Sequence, residues 1–139
     1  MIKKLLFYMI TGMLLLHACK ERGRDDARFQ TFDSTRLTRV ELPETMFDFG
    51  DVAPGEIVGH AFSVKNAGEK DLFIQDVLAS CGCTTSNYTR KPVKPGKSGT
   101  IEVKFNSAGQ HGKQYKVIHV YSNVREKKFE LVVKANIQN

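Results

Sequence analysis

The motif Ser80-Cys81-Gly82-Cys83-Thr84 contains most of the chemistry that this chain of 139 residues offers. In an extended backbone, residues two apart point to the same side, so both sulfurs can face one spot. A glycine between them permits unusual backbone angles and the close approach of a partner. Cys81 and Cys83 are therefore the candidate residues for redox chemistry or for soft-metal binding.

Three interpretations of Cys81 and Cys83 stay open from the sequence. They are buried structural thiols, since free cysteine is among the most buried residue types. Alternatively they form a disulfide, a bond that persists in oxidising compartments. The ring that this disulfide would close is tight, which makes the bond labile or redox-active. In the third interpretation they bind a soft metal such as Cu(I) or Zn(II) as thiolates. Two sulfurs alone do not close a tetrahedral zinc site.

The histidines add little to this site. His60 has the phase of the core residues in its strand, His119 lies on the face opposite the core in its strand, and His111 falls in a hairpin turn. The three need not converge, and each is expected to be structural or solvated. The sequence contains no nucleophile elbow, phosphate loop or dinucleotide fingerprint, so we expect neither an enzyme nor a cofactor.

Cys19 indicates where the protein works. It follows a basic start, an apolar stretch from Leu5 to Leu16 and the small residue Ala18, a pattern typical of a secretory signal. The cysteine after the cleavage site resembles the lipobox of bacterial lipoproteins, whose thiol is acylated. The stretch is shorter than the roughly 20 apolar residues that a membrane span needs. We therefore expect a signal peptide over residues 1–18 and a lipid anchor on Cys19 that holds the mature protein on a membrane.

Residues 20–39 lack periodicity and are rich in charge, which predicts a flexible tether between lipidated Cys19 and a domain over residues 40–139. Asp33-Ser34-Thr35 resembles an O-glycosylation motif of some Gram-negative envelopes, so Ser34 is a candidate for modification. The formal net charge is +6, but residues 40–139 hold 13 basic and 11 acidic side chains. The near-neutral domain predicts no concentrated basic face and no nucleic-acid partner.

After Val40 the sequence alternates between apolar and polar residues, as in strands with one buried and one wet face. The clearest runs are residues 101–105 and 129–137, and a slip in phase before Val77 predicts a bulge. Turn formers such as Pro54-Gly55 and Pro95-Gly96 separate the runs. This pattern predicts an all-β, two-sheet antiparallel sandwich of about seven strands.

Several motifs, in a fixed order, resemble one bacterial family. They include Phe47-Asp48-Phe49-Gly50, Lys65-Asn66-Ala67-Gly68, Ser80-Cys81-Gly82-Cys83-Thr84, Pro95-Gly96, Phe105-Asn106-Ser107 and Ser122-Asn123. Together they resemble the domain of unknown function 1573 over about residues 44–137. The resemblance implies an Ig-like domain, found mostly in secreted proteins and lipoproteins of Gram-negative bacteria. It implies no activity, because none is established for the family and a fold alone does not assign one.

The family motifs also predict local backbone. Lys65-Asn66-Ala67-Gly68 ends a strand with residues that tolerate left-handed conformations. Pro95-Gly96 fits the central positions of a type II turn.

The anchor, the sandwich and the lack of a catalytic set favour a protein-binding or scaffolding module in the cell envelope, most simply at the outer membrane. The expected partners are the membrane, through the lipid, and another envelope protein, contacted at a sheet edge or face. A redox or metal-handling lipoprotein that uses Cys81 and Cys83 is the alternative. A carbohydrate-binding module ranks third, because the chain has no tryptophan.

Overall fold

The computed structural model describes residues 34–138. A short 3-10 helix at Ser34–Arg36 precedes eight strands. The strands are β1 Val40–Glu41, β2 Met46–Val52, β3 Ile57–Asn66, β4 Ile74–Ala79, β5 Thr84–Tyr88, β6 Ser98–Asn106, β7 Gly112–Ser122 and β8 Lys128–Ile137. Within residues 34–138, no helix has the length and hydropathy that crossing a bilayer requires.

The strands form two four-stranded sheets that pack face to face. One sheet has the order β1-β3-β6-β5 and the other the order β2-β8-β7-β4. All pairs are antiparallel except β2 and β8, which run parallel. The predicted sandwich is confirmed. The described residues form eight strands where about seven were expected, and β1 and β2 lie in different sheets.

Alternate side chains of the strands fill the space between the sheets. In β6 every second residue from Gly99 to Phe105 is buried, because successive side chains of a strand point to opposite faces. Ile118 and Leu131 of the other sheet are likewise fully buried. The register of β4 against β7 shifts between Ile74 and Asp76, which confirms the predicted bulge.

The two backbone predictions from the motifs have different outcomes. Lys97 N–H donates to the Lys94 carbonyl at 3.0 Å and Gly96 has a φ of 74°, as a type II turn centred on Pro95-Gly96 requires. Strand β3 ends within residues 65–68, as their motif predicted, but none of the four residues has a positive φ. Gly68 is needed for space instead: a Cβ there would lie 2.7 Å from the backbone nitrogen of Arg39.

Asn66, at the end of β3, is a fully buried hydrogen-bonding centre. Its side-chain nitrogen donates to the carbonyls of Lys70 and Val93, at 2.7 and 2.8 Å. Its side-chain oxygen accepts from the Thr38 hydroxyl at 2.8 Å and from Gly68 N–H at 3.1 Å. One side chain thus joins the segment before β1 to the β3–β4 connection, which contains Lys70, and to the β5–β6 connection, which contains Val93.

Asn123, just after β7, has the same role for the other sheet and is also fully buried. Its side-chain nitrogen donates to the carbonyls of Arg36 and Asp71, at 2.6 and 2.8 Å. Its side-chain oxygen accepts from Phe73 N–H at 2.8 Å, and its backbone carbonyl accepts from Thr38 N–H at 3.0 Å. Thr38 therefore links the two asparagines at one end of the sandwich.

We expect Asn123→Ala to lower the free energy of unfolding by about 3 kcal/mol, because it leaves a backbone N–H and two carbonyls in poorly solvated positions without partners. Asn136→Ala is the matched control, since this amide donates to Asp51 at an exposed site. The control should lose less than about 1 kcal/mol. Urea denaturation of both variants measures the difference, and equal losses would contradict the role of Asn123.

Candidate functional site

Cys81 and Cys83 are joined by a disulfide, which closes a ring around Gly82 in the connection between β4 and β5. The structure thus has the second of the three arrangements that the sequence left open. It differs from the buried free thiols of the first interpretation. In this form neither sulfur is the thiolate that soft-metal binding requires.

Both ends of the disulfide connection are hydrogen-bonded to neighbouring strands. Ser80 N–H donates to the Val117 carbonyl at 2.9 Å, and the Ser80 hydroxyl accepts from Val117 N–H at 3.2 Å. Asn106 N–H donates to the Cys83 carbonyl at 2.9 Å. Gly82, between the sulfurs, is exposed, lacks a positive φ and has open space where a Cβ would lie. The glycine leaves the ring open to approach, but its backbone is not in an unusual region.

The two sulfurs have different surroundings. Cys83 packs against a small apolar cluster that includes Phe105 and Ile137. The sulfur of Cys81 lies 3.5 Å from the Thr84 hydroxyl. After reduction, a hydrogen bond from Thr84 would stabilise a thiolate on Cys81, whereas apolar contacts disfavour one on Cys83.

The three histidines do not join the cysteines in a metal site. His60 is half-buried on the core side, stacks on Phe47 with ring centroids 3.6 Å apart, and bonds Glu44 at 2.7 Å. His111 is exposed in the β6–β7 connection. Nδ1 of His119 lies 3.1 Å from a carboxylate oxygen of Glu130, but out of line for a hydrogen bond. In the described part of the chain, no three His, Cys, Asp or Glu side chains are placed to hold a metal ion.

The disulfide lies at the end of the sandwich away from the point where the described chain begins. We call segments 34–39, 67–73, 89–97 and 123–127 the entry end, and segments 53–56, 80–83 and 107–111 the disulfide end. The nine residues of β6 run from one end to the other. At about 3.3 Å per residue, the two ends are roughly 25–30 Å apart.

Side chains cover the free edge of β4. The Gln75 carbonyl accepts from the Tyr88 hydroxyl at 2.7 Å, and the Val77 carbonyl accepts from the Ser86 hydroxyl at 3.1 Å. The Val77 N–H donates to the carboxylate of Asp76 at 2.9 Å. Backbone groups that would otherwise pair with an added strand are thus already satisfied within the domain.

Tyr88 is held in place for this contact. Burial raises its pKa, with Arg90 opposing the shift, so the phenol stays protonated at neutral pH and can donate to Gln75. The Arg90 guanidinium donates to the same phenol oxygen at 2.9 Å and lies 4.0 Å from the ring centroid. The resulting stack fixes Tyr88 against the edge of β4.

The direction of the backbone groups in β3 follows from two hydrogen bonds. Asn66 N–H donates to Lys97 on the β6 side, whereas Ala67 N–H donates to Arg39 on the opposite side. Successive residues of a strand direct their N–H and C=O groups to alternate sides. Because the register with β6 is unbroken over residues 57–65, the odd-numbered residues of β3 direct these groups away from β6.

The edge of β3 that faces away from β6 is open over most of its length. Strand β1 pairs with it at Lys65 and Asn66 and then leaves the sheet. The N–H and C=O groups of Ile57, Gly59 and Ala61, together with those of Ser63, therefore point to an edge that no strand of residues 34–138 covers. We call these four residues the open edge.

The remaining sequence-predicted sites are less informative. Cys19 and the signal over 1–18 lie outside the described residues, so lipidation stays a prediction. Asp33 also lies outside, and Ser34 begins the short 3-10 helix. The sequence did not indicate the open edge, because the position of a strand within a sheet depends on pairing with residues distant in sequence.

Comparisons with known proteins agree with this architecture. The sequence model of the family described as Protein of unknown function (DUF1573) matches residues 40–137, which confirms the predicted resemblance. A comparison with curated proteins found no match.

Solved structures show the same fold. A protein of unknown function from Porphyromonas gingivalis W83 is 22% identical with a TM-score of 0.66, over 78% of this chain and 50% of that one. This chain thus spans half the length of that protein. The ASH / PapD-like domain of human CEP192 (PapD-like domain 7) is 10% identical with a TM-score of 0.60, over 80% and 93% of the two chains.

A third similar structure is that of the VesB protease of Vibrio cholerae. It is 13% identical with a TM-score of 0.55, over 76% of this chain and 32% of that one. At these identities the likeness establishes an Ig-like, PapD-like fold and assigns no activity.

We expect protein purified without reductant to carry a Cys81–Cys83 disulfide, because the structure holds both sulfurs in that bond. Peptide mass spectrometry should find the peptide lighter by two hydrogens and free of alkylation. Treatment of the folded protein with a dithiol should then expose both cysteines to alkylation, since Gly82 leaves the ring open. Alkylation of both cysteines without reductant would contradict the presence of the disulfide. If the disulfide is reduced only after the protein unfolds, the predicted access of the reductant to the ring in the folded protein is wrong.

Proposed function

This chain belongs to the family Protein of unknown function (DUF1573), and from that membership we propose that it is a lipid-anchored envelope protein whose sandwich binds an extended partner segment along β3. The anchor is the lipid expected on Cys19, at the outer membrane of a Gram-negative bacterium. The protein acts as a binding or scaffolding module rather than as an enzyme.

The open edge is the observation that carries the binding function. Unpaired N–H and C=O groups along a sheet edge form a template on which an extended peptide adds as a further strand. Gly59 and Ala61 have small side chains, so a second backbone can approach closely. Ile57, at 64% exposed, offers an apolar contact at one end of the edge.

Both edges of the second sheet, at β4 and at β2, are protected, which sets them apart from β3. Tyr88 and Ser86 cover the edge of β4. The edge strand β2 is interrupted by a register shift between Asp48 and Asp51, a device that discourages strand addition. Proteins normally protect edges against unwanted pairing, so an unprotected stretch favours a role in recognition.

A hollow beside the open edge supports the same conclusion. Gly59 and Ala61 of β3 line it together with Glu102 and Lys104 of β6. A side chain of an added strand that points to this face would enter the hollow between a carboxylate and an ammonium group. The backbone contacts would supply affinity, and the hollow would supply selectivity.

We expect Cys19→Ser to move the protein from the membrane fraction to the soluble fraction of the envelope, because stable attachment depends on the acyl chains. The parent protein should show a mass increase from acylation on the peptide that begins at Cys19. Cys83→Ser, which breaks the disulfide but spares the anchor, should stay in the membrane fraction. An unmodified Cys19 in the parent would contradict the anchor.

We expect a photo-crosslinking amino acid at Ser63 to give discrete adducts with an envelope protein in living cells, because the partner strand would lie beside this position. The same amino acid at Asn87, which is exposed on β5 of the same sheet, is the control and should give none. Adding Ala61→Pro removes one edge N–H and should abolish the adduct. If the proline variant has a lower melting temperature than the parent protein, Gly59→Glu replaces it as the variant that should abolish the adduct. An absence of adducts along the whole open edge would contradict strand addition.

The disulfide supports a second candidate function, thiol–disulfide exchange with an envelope dithiol. One thiolate of that dithiol would attack one sulfur of the bond, and the other cysteine would leave as a thiolate. The second thiol of the reductant would complete its oxidation to a disulfide, leaving Cys81 and Cys83 reduced. Reduction of the folded protein by a dithiol is the result that this candidate requires.

A further inference from the structure

The entry end of the sandwich is strongly basic. Its four segments hold nine lysines and arginines against three acidic residues, and all nine are exposed. The basic residues are Arg36, Arg39, Lys70, Arg90, Lys91, Lys94, Lys97, Arg125 and Lys127. The disulfide end holds Glu56 and neither lysine nor arginine. The domain is thus nearly neutral in sum but has its positive charge concentrated at one end.

This distribution corrects the expectation that the domain has no concentrated basic face. The nine residues belong to four connections that are far apart in the sequence, and segment 89–97 holds four of them. Hydrogen bonds from Asn66 and Asn123 bring the four connections to one end. Charge summed over residues 40–139, with 13 basic and 11 acidic side chains, therefore did not reveal the basic end.

Contacts within the entry end leave most of this charge available. Lys94 pairs with Asp71 at 2.8 Å, which neutralises one lysine. Arg36 lies over the ring of Phe73, a contact that positions the guanidinium without neutralising it. Glu69 and Glu126 are the other two acidic residues of the entry end, and they are outnumbered by the remaining basic residues. An excess of positive charge therefore faces outward.

We propose that the entry end docks onto the anionic lipid surface of the membrane that carries the anchor; this inference rests on the proposed lipidation of Cys19. The described chain begins at this end, so any anchor on Cys19 is connected to the domain through it. Residues 20–33 span at most about 50 Å when fully extended, which keeps the basic end near the lipid headgroups. Lysines and arginines near an anionic leaflet are attracted to it over about one Debye length.

Docking by the entry end would also orient the open edge. Strand β3 ends at Asn66 in the entry end and begins at Ile57 near the disulfide end. With the entry end on the lipid, β3 runs away from the membrane and the disulfide faces the aqueous compartment. A partner segment would then meet the open edge without a steric conflict with the bilayer.

The test uses the full acylated chain in vesicles and an amine-reactive, membrane-impermeant reagent, with each lysine quantified by peptide mass spectrometry. In vesicles that contain phosphatidylglycerol, Lys91, Lys97 and Lys127 should react several-fold more slowly than in pure phosphatidylcholine. Lys104 and Lys113, which lie outside the entry end, should react equally in both and serve as internal controls. High salt should remove the protection, because it screens the attraction.

A charge-reversal pair makes the assignment specific. Lys70→Glu with Arg125→Glu should remove most of the several-fold protection of the remaining entry-end lysines, since each basic residue contributes to the attraction. Lys113→Glu with Lys134→Glu, at two positions outside both the entry end and the hollow, changes the net charge equally and should keep the protection. Melting temperatures equal to that of the parent protein establish that both variants are folded.

Equal labelling in the two kinds of vesicle would overturn the docking while leaving the anchor intact, provided that the protein floats with phosphatidylcholine vesicles. Failure to float with those vesicles would instead overturn the proposed anchoring. Protection seen in whole envelopes but in neither kind of vesicle would assign the entry end to an acidic protein, and would overturn the lipid as its partner.

Discussion

The buried amides of Asn66 and Asn123 hold the connections of the sandwich together at one end. A sandwich buries the ends of its strands, and the chain that enters between the sheets brings backbone groups with it that have no strand partner. Leaving such groups unpaired costs free energy that is a large fraction of the net free energy of unfolding of a small domain. The two asparagines satisfy them, and Thr38 joins the two sets of hydrogen bonds.

The same arrangement gives the domain two unlike ends. Because four connections are held at the entry end, their basic residues collect there, and the disulfide between β4 and β5 lies at the other end. An anchored module benefits from this separation. In the proposed arrangement, the end nearest the anchor has the positive charge that attracts anionic lipid, and the disulfide lies at the far end.

The sheet edges show a second division of roles. On the side of β4, hydroxyl groups of Ser86 and Tyr88 occupy carbonyls that an added strand would use. On the side of β3, the early departure of β1 leaves the backbone uncovered. Stability alone does not require that difference, because hydroxyl groups of the kind that cover β4 serve equally well at any edge. The difference is the physical basis for assigning recognition to β3.

The elements of this fold could be predicted from the sequence, because alternation, bulges and proline–glycine turns depend on neighbours along the chain. The sequence predicted the sandwich, the slip before Val77 and the turn at Pro95-Gly96, and its motifs identified the family. It also singled out Cys81 and Cys83, but it left their bonding open. Three features follow from tertiary contacts alone: Asn66 pairs backbone groups of distant segments, basic residues from four connections form one surface, and β3 has an open edge. Each of these depends on which distant segments meet, and no local pattern of residues encodes that.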